Sequence, residues 1–296
     1  MPERPTSTAP STPRDERPLL EGASITVADY RCTGRDGEAD LTERPQGHEL
    51  CFVRRGVFGV STRGERYVAD ANSIVLLRDG HEYVTRHPEG DADVCTVFYL
   101  RPGTLASILH HDDDARAAEA VPWTVRAADA GWFREHWNLL FELVADAGDP
   151  DRPLAIEERA LGLASGVLAA PGPQPRLDRP ARAATRHAHR DLAEAIKERL
   201  ATDLASRFTL QDLAAEFGWS PFELTRIFRG HTGLPIHRYR RQLRLRTAFC
   251  HLANGESSIA RLAHELGFAT HSHLSAAFRG ELGVAPAQIR RLAAPR

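Results

Sequence analysis

Hydrophobic positions follow two different periods along the chain. From about residue 23 to residue 101, short apolar runs such as ELCFVRRGVFGV and NSIVLLRDG are separated by turn-forming residues, which is typical of strands in a β-sandwich or small barrel. From about residue 103 to residue 170, apolar positions recur at helical spacing, most clearly in WFREHWNLLFELV, and this spacing returns from about residue 187. The pattern therefore predicts an α+β fold: an N-terminal β domain followed by helices, and an all-α C-terminal domain.

Composition changes predict where these regions begin and end. The first residues are rich in Pro, Ser, Thr and charge, which predicts disorder, and the Pro-rich stretch PGPQPRLDRPAR predicts a linker. The predicted units are a disordered tail over 1–18, a β domain over 19–102, a helical connection over 103–170, a linker over 171–186 and a helical domain over 187–296.

One predicted helix before the linker has an apolar stripe. Trp137, Leu140, Phe141 and Val144 fall on one side of it at helical spacing. Such a stripe suits packing on the β domain or pairing between two subunits, and the sequence leaves both alternatives open.

The C-terminal part contains an internal repeat. The stretch LAAEFGWSPFELTRIFRGHTGLP, beginning at Leu213, aligns with LAHELGFATHSHLSAAFRGELGVAP, beginning at Leu262. Each copy has a helix, a glycine at its end, an aromatic residue, a short turn and a second helix. In the first copy Ser220 can cap the second helix, Pro221 suits its first position and Glu223 can complete a capping box, so the second helix is predicted to begin at Ser220. The repeat predicts two helix-turn-helix motifs, joined by one long helix.

The second helix of such a motif lies in the major groove of DNA, so its exposed polar side chains are candidates for contacts with bases and its basic ones for contacts with phosphates. The base-facing candidates are Phe222, Thr225 and Arg226 in the first copy and His271, Ser272 and Ser275 in the second. The phosphate candidates are Arg229, Arg238, Arg240 and Arg279.

Charge is distributed unevenly along the chain. The formal net charge is −2, yet residues 182–296 contain 18 Lys plus Arg against 10 Asp plus Glu, while the remainder contains 20 against 30. A basic segment joined to an acidic one indicates a module that binds a polyanion, and nucleic acid is the leading candidate.

The repeat resembles a known family. Residues from about 190 to 291 resemble the DNA-binding domain of AraC/XylS-type transcriptional regulators, on the stretches FTLQDLAAEFGWSPFELTRIFRGHTGLPIHRYRRQLRLRTA and SIARLAHELGFATHSHLSAAFRGELGVAPAQIRR. The second stretch follows the family signature, from Ile-x-x-Ala through Gly-Phe to Phe-x-x-x-x-Gly-x-x-Pro. Members often have Arg where this chain has Ala276, so we expect the second recognition helix to depend more on phosphates or DNA shape.

The resemblance implies a function and a set of partners. We expect a sequence-specific DNA-binding transcriptional regulator whose partner is double-stranded DNA, with most specificity in the first recognition helix. The family commonly has an N-terminal cupin-like or β-sandwich domain that binds an effector or mediates dimerisation. We therefore expect a small-molecule effector and a homodimer, with RNA polymerase as a further candidate partner.

The alternative class of function is enzymatic: a cupin-type metal-dependent enzyme, or a thiol-reactive DNA-repair protein carrying an AraC-like module. A metal-dependent cupin needs a His-x-His pair with a Glu and a later His, whereas the β region offers His48, Glu49 and His81 without such a pair. A repair protein needs a paired-cysteine cluster or an active-site cysteine motif, which the sequence lacks. We therefore expect no enzymatic activity, no catalytic residue, no cofactor and no metal centre.

The cysteines raise one further hypothesis. The four cysteines are widely spaced without a CxxC pair, which favours reduced thiols. Cys51 and Cys95 lie in apolar runs and are expected to be buried. The alternative is an effector or redox site, in which Cys32, Cys51 and Cys95 with His48 respond to oxidant or bind a soft metal.

The distribution of apolar residues bears on where the protein is expected to act. No run approaches the roughly 18 apolar residues that a membrane span needs, and the N-terminus has no apolar segment of the signal-peptide type. We expect a cytoplasmic protein.

Overall fold

The structure is a computed structural model that describes residues 14–32, 41–88, 93–145, 152–172, 183–256 and 258–293. The strands formed by these residues are β1 Arg14–Glu21, β2 Ile25–Cys32, β3 Leu41–Glu43, β4 His48–Arg55, β5 Val57–Thr62, β6 Glu65–Asp70, β7 Ser73–Leu77, β8 Tyr83–Arg86, β9 Val94–Leu100 and β10 Val125–Ala127. The helices are α1 Thr104–Leu109, α2 Asp114–Ala120, α3 Ala130–Val144, α4 Arg152–Ala169, α5 Ala183–Thr202, α6 Leu210–Phe217, α7 Pro221–Thr232, α8 Ile236–Ala253, α9 Ile259–Glu265, α10 His271–Leu282 and α11 Pro286–Ala293.

The strands form two antiparallel sheets. One has the order β1-β2-β9-β4-β7-β10 and the other β3-β8-β5-β6. Successive side chains of a strand point to opposite faces, so in β4 Leu50 and Phe52 pack towards α1, α2 and α4, while Cys51 and Val53 pack towards the smaller sheet. The larger sheet is thus covered on both faces, and the predicted N-terminal β domain followed by helices is confirmed.

The predicted disordered tail over 1–18 is wrong for residues 14–18. They belong to β1, in which Glu16 pairs with Tyr30 and Arg17 with Asp29 of β2. Because β1 is an edge strand, it tolerates charged residues and a proline, and that composition is what suggested disorder. Residues 1–13 lie outside the described part of the chain.

The segment between the domains also differs from its prediction. β10 lies inside the predicted helical connection and pairs with β7, and its three residues are too few to produce a periodic signal. The predicted linker over 171–186 ends too late, because α5 already begins at Ala183. Residues 173–182 lie outside the described part of the chain.

The C-terminal helices form the two predicted helix-turn-helix motifs. α6 and α7 form the first, α9 and α10 form the second, and the 18-residue helix α8 joins them. Of the predicted stripe on α3, Trp137, Leu140 and Phe141 pack with α8 and the second motif, where the ring of Trp137 lies 4.6 Å from that of Phe249, whereas Val144 is exposed. Among the described residues no helix is both long and apolar enough to cross a bilayer.

Candidate nucleic-acid interface

Helix α7 begins directly after its capping residue, Ser220. The hydroxyl oxygen of Ser220 accepts a hydrogen bond from the backbone N–H of Glu223 at 3.2 Å, and Pro221 occupies the first helical position. The carboxylate of Glu223 accepts from the Ser220 hydroxyl at 2.7 Å rather than from its backbone N–H. The reciprocal capping box occurs instead at the start of α6, between Thr209 and Asp212.

Helix α10 repeats this design. Its cap residue Thr270 accepts a hydrogen bond from the backbone N–H of His273 at 3.1 Å. The positions that are buried in α7 are also buried in α10, and both helices end at a glycine with positive φ, 76° at Gly233 and 75° at Gly283. The two recognition helices therefore present equivalent faces to solvent. The equivalent buried residues are Leu224, Ile227 and Phe228 in α7 and Leu274, Ala277 and Phe278 in α10.

The base-facing candidates of α7 lie on its exposed side. The side chain of Phe222 is 75% exposed. Arg226 is exposed, and its guanidinium makes no ion pair or hydrogen bond with any residue that the structure describes. The hydroxyl of Thr225 donates within its own helix to the carbonyls of Pro221 and Phe222, both at 2.9 Å, so it can still accept a hydrogen bond but has no proton left to donate. Arg226 is therefore the principal free donor on this face.

The base-facing candidates of α10 do not include an arginine. His271 and Ser272 are exposed, Ser275 is half-buried, and Ala276 occupies the position equivalent to Arg226. The sequence interpretation missed His273, which is exposed and packs edge-on against the ring of Phe268 at 5.6 Å. Its position in the first copy is taken by the capping residue Glu223, so alignment of the two copies hid it.

The phosphate candidates divide into two groups. Arg229, Arg238 and Arg279 are exposed, and within the described ranges none of their guanidinium groups makes an ion pair or hydrogen bond. Arg240 differs from its prediction as a phosphate contact. Its guanidinium donates to the carbonyl of Ser206 and lies 4.2 Å from the centre of the Phe208 ring. Burial lowers the pKa of Arg240. Its side chain therefore serves contacts within the protein.

The sequence interpretation also missed Arg241, the next residue on α8. It is exposed, and its Nε lies 4.0 Å from a carboxylate oxygen of Glu281. Together with Arg226 and Arg229 it lines an open groove of about 1140 Å³ between α7 and α8. Arg240 and Arg244 also line this groove, and the three exposed guanidinium groups create a positive surface suited to a phosphate backbone.

The first motif is attached to the β domain by buried charges. A carboxylate oxygen of Glu194 in α5 accepts from the backbone N–H of Val68 in β6 at 2.6 Å, and the other lies 2.7 Å from Nε2 of His231 in α7. Lys197 donates to Glu194 at 2.9 Å and to the carbonyl of Val68 at 2.6 Å. Burial alone would raise the pKa of Glu194, but Lys197 and His231 lower it to about 2.

A second set of polar contacts connects α8 to the turn between β6 and β7. The hydroxyl of Tyr239 donates to Asp70 at 2.6 Å. Arg246, fully buried, donates to the carbonyls of Ala71 at 3.3 Å and Ala128 at 2.8 Å. Burial raises the pKa of Asp70 and lowers that of Arg246 to about 10. These contacts join the β domain to the helix that separates the two recognition helices.

The cysteine hypothesis is only partly supported by position. Cys51 and Cys95 are buried between the two sheets, as their apolar surroundings predicted. His48 is not near Cys32. It pairs with Leu100 at one end of β9, whereas Cys32 follows the β2 residue that pairs with Val94 at the other end of β9. The predicted set with His48 is therefore not brought together.

Known transcriptional regulators are similar to the chain. Residues 213–292 match a family model described as a helix-turn-helix domain, so the match spans both motifs. The HTH-type transcriptional activator RhaS of Salmonella schwarzengrund (strain CVM19633) is 24% identical over 258 residues, which cover 82% of this chain and 85% of that protein. These matches support the resemblance of the chain to AraC/XylS-type transcriptional regulators.

A further relative and two solved structures are also similar to the chain. RhaS of Salmonella paratyphi A (strain ATCC 9150 / SARB42) is 23% identical over 256 residues, which cover 82% of this chain and 85% of that protein. ToxT from Vibrio cholerae is 14% identical, with a TM-score of 0.36 over 91% of this chain and 98% of its own. The C-terminal domain of AraT, a response regulator from Geobacillus stearothermophilus, is 25% identical, with a TM-score of 0.33 over 34% of this chain and 84% of its own.

The matched domain and the relatives indicate the general activity. The chain is a DNA-binding transcriptional regulator with its helix-turn-helix module at the C-terminus. The RhaS proteins to which it is similar are transcriptional activators.

Proposed function

We propose that this regulator recognises its operator mainly through α7, while α10 contributes phosphate contacts and sensitivity to DNA shape. The observation that carries this proposal is the contrast between Arg226, which is exposed and without a partner in the described ranges, and Ala276 at the equivalent position. An arginine can donate two hydrogen bonds to one guanine, whereas alanine offers only a methyl group.

The proposed complex places both recognition helices on one face of a DNA duplex. Two such helices enter major-groove segments about one helical turn, or roughly 34 Å, apart. Phe222, Thr225 and Arg226 would meet base edges in one segment and His271, Ser272 and Ser275 in the other. Genomic DNA retained by the protein is therefore expected to contain two sequence elements separated by about one turn.

Control would come from the N-terminal domain. The contacts of Glu194 join β6 to both α5 and His231 of α7, so a small molecule that shifts β6 would change how α7 is presented relative to α10. An effector acts only through different affinities for two such arrangements. We further propose that the active form is a homodimer and that RNA polymerase is a partner at the promoter.

The phosphate-binding arginines provide the first test of the interface. A substitution that removes one arginine–phosphate interaction should reduce the slope of log affinity against log salt concentration by about 1. Arg229→Ala is therefore expected to weaken binding to all DNA sequences alike and to lower this slope. Arg240→Ala is the matched control, because its guanidinium is occupied by Ser206 and Phe208, and it should leave the slope unchanged. An unchanged slope for Arg229→Ala would contradict the proposed interface.

A further inference from the structure

Three side chains with metal-binding chemistry meet at one end of the β domain. Cys32 is the last residue of β2, His87 follows β8, and Asp93 precedes β9. One ligand atom of each lies within 4.8 Å of the others. The backbone N–H of Cys32 donates to the carbonyl of Asp93 at 3.0 Å, which fixes two of the three residues relative to each other. Because β2 and β9 belong to one sheet and β8 to the other, the cluster lies where the two sheets come together.

We propose that the Cys32 thiolate, the His87 imidazole and the Asp93 carboxylate bind one divalent transition-metal ion of the zinc type. A thiolate, an imidazole nitrogen and a carboxylate oxygen are the three protein ligands that Zn²⁺ takes. The soft thiolate makes Mg²⁺ and Ca²⁺ poor occupants, since they prefer oxygen ligands. Three protein ligands leave one position of a tetrahedral shell for a water molecule or another small ligand.

The spacing of the cluster requires little rearrangement. Nε2 of His87 lies 2.7 Å from a carboxylate oxygen of Asp93. A tetrahedral ion with bonds of about 2.0–2.1 Å would hold these two atoms about 3.3 Å apart, so the pair must separate by less than 1 Å. The side chain of His87 is 17% exposed and that of Asp93 3%, which gives an ion an approach past the imidazole to a shielded carboxylate.

Neighbouring groups orient the proposed ligands. The second carboxylate oxygen of Asp93 accepts a hydrogen bond from Sγ of Cys95 at 3.4 Å, and the ring of Phe58 lies 6.0 Å from that of His87. Such contacts fix the orientation of metal ligands and raise their affinity. One thiolate and one carboxylate also balance the charge of a divalent ion, which lowers the cost of holding it in this buried position. The site is independent of the proposed DNA contacts and differs from the set with His48.

The test uses cobalt as a spectroscopic substitute for zinc in the reduced, chelator-treated full-length protein. Co²⁺ is expected to bind at one equivalent and to produce the near-ultraviolet absorption of a thiolate bound to cobalt, and Zn²⁺ should displace it. Cys32→Ser should abolish this absorption, and Asp93→Asn should weaken binding at least about 10-fold. Cys95→Ala should weaken binding about 10-fold while the absorption remains, because that thiol acts by donating to Asp93. Cys250→Ser and His48→Ala are controls outside the cluster and should bind as the wild type does.

Thermal unfolding separates loss of the site from loss of the fold. Zn²⁺ should raise the unfolding temperature of the wild type and of Cys250→Ser but not that of Cys32→Ser, because only a bound ion stabilises the folded state. The proposal is overturned if wild-type protein gives no thiolate absorption with Co²⁺, if Cys32→Ser retains it, or if Cys250→Ser loses it.

Discussion

The first helix-turn-helix motif meets the N-terminal part of the chain through buried charges and hydrogen bonds, whereas the second meets it through aromatic rings. Glu194 connects α7 to β6. By contrast, Phe249 of α8 lies between Trp137 of α3, at 4.6 Å, and Phe278 of α10, at 5.8 Å. Directional polar interactions break abruptly when one partner shifts or changes its charge, while apolar packing depends on area and shape. The first motif, which carries Arg226, is thus attached to the N-terminal part by polar interactions, which a shift or a change of charge breaks more readily than apolar packing.

The largest expected effect comes from removing an aromatic ring from the contact between α3 and α8. Trp137→Ala removes a side chain that is 4% exposed and should lower the free energy of unfolding by about 3–5 kcal/mol, as such core truncations do. Val144→Ala, on the same helix and 67% exposed, should change it little. Urea unfolding measures both, and equal effects of the two substitutions would rule out the packing of α3 on the second motif.

The next effect is at the polar contact. Glu194→Gln keeps the shape but removes the charge that Lys197 and His231 surround, so it should cost about 2 kcal/mol, the scale of a hydrogen bond to a charged group. It should also change DNA affinity at the half-site of α7 more than at that of α10. Binding to DNA carrying one half-site at a time distinguishes these outcomes, and equal changes at both half-sites would contradict a selective link to α7.

Acid provides a related test of the same carboxylate. The folded-state pKa of Glu194 is about 2, below its ordinary value of 4.5, so folding favours its charged form. Its contribution to stability is complete above about pH 4.5 and is lost as the pH falls towards 2. Unfolding free energies from pH 6 to pH 3 should therefore fall less steeply for Glu194→Gln than for the wild type, and parallel curves would show that the carboxylate has no such role.

The smallest expected effect comes from making the two recognition helices alike. Ala276→Arg places a guanidinium at the position equivalent to Arg226 and should strengthen DNA binding by about 1 kcal/mol, within the range of one base or phosphate contact. Ala215→Arg adds the same charge at an exposed position of α6 and is the matched control. Fluorescence anisotropy at several salt concentrations measures both. A gain no larger for Ala276→Arg than for Ala215→Arg would place α10 away from the groove.

Local signals made much of the C-terminal domain predictable. The cap at Ser220 and the apolar stripe of Leu224 and Phe228 are encoded within a few neighbouring residues. The second copy of the repeat has the same pattern. The helix boundaries and the exposed position of Arg226 follow from these signals. The short apolar runs separated by turn-forming residues likewise predicted the β domain.

Contacts between distant residues were not predictable in the same way. Arg240 looked like any other basic residue of α8, and only the position of Phe208 and Ser206 turns it inwards. β10 and β1 depend on their pairing partners rather than on their own composition. The meeting of Cys32 with His87 and Asp93 requires the arrangement of strands from two sheets, which sequence spacing does not reveal.

The most direct test of the central claim is the base preference of Arg226→Ala, measured by selection from randomised duplex DNA in parallel with the wild type and Ser272→Ala. We predict that Arg226→Ala loses its preference at adjacent base pairs in one half-site, at a cost of about 1–3 kcal/mol for the preferred sequence. Ser272→Ala should change the profile of the other half-site less. A profile for Arg226→Ala identical to that of the wild type would contradict the assignment of α7 as the principal specificity helix.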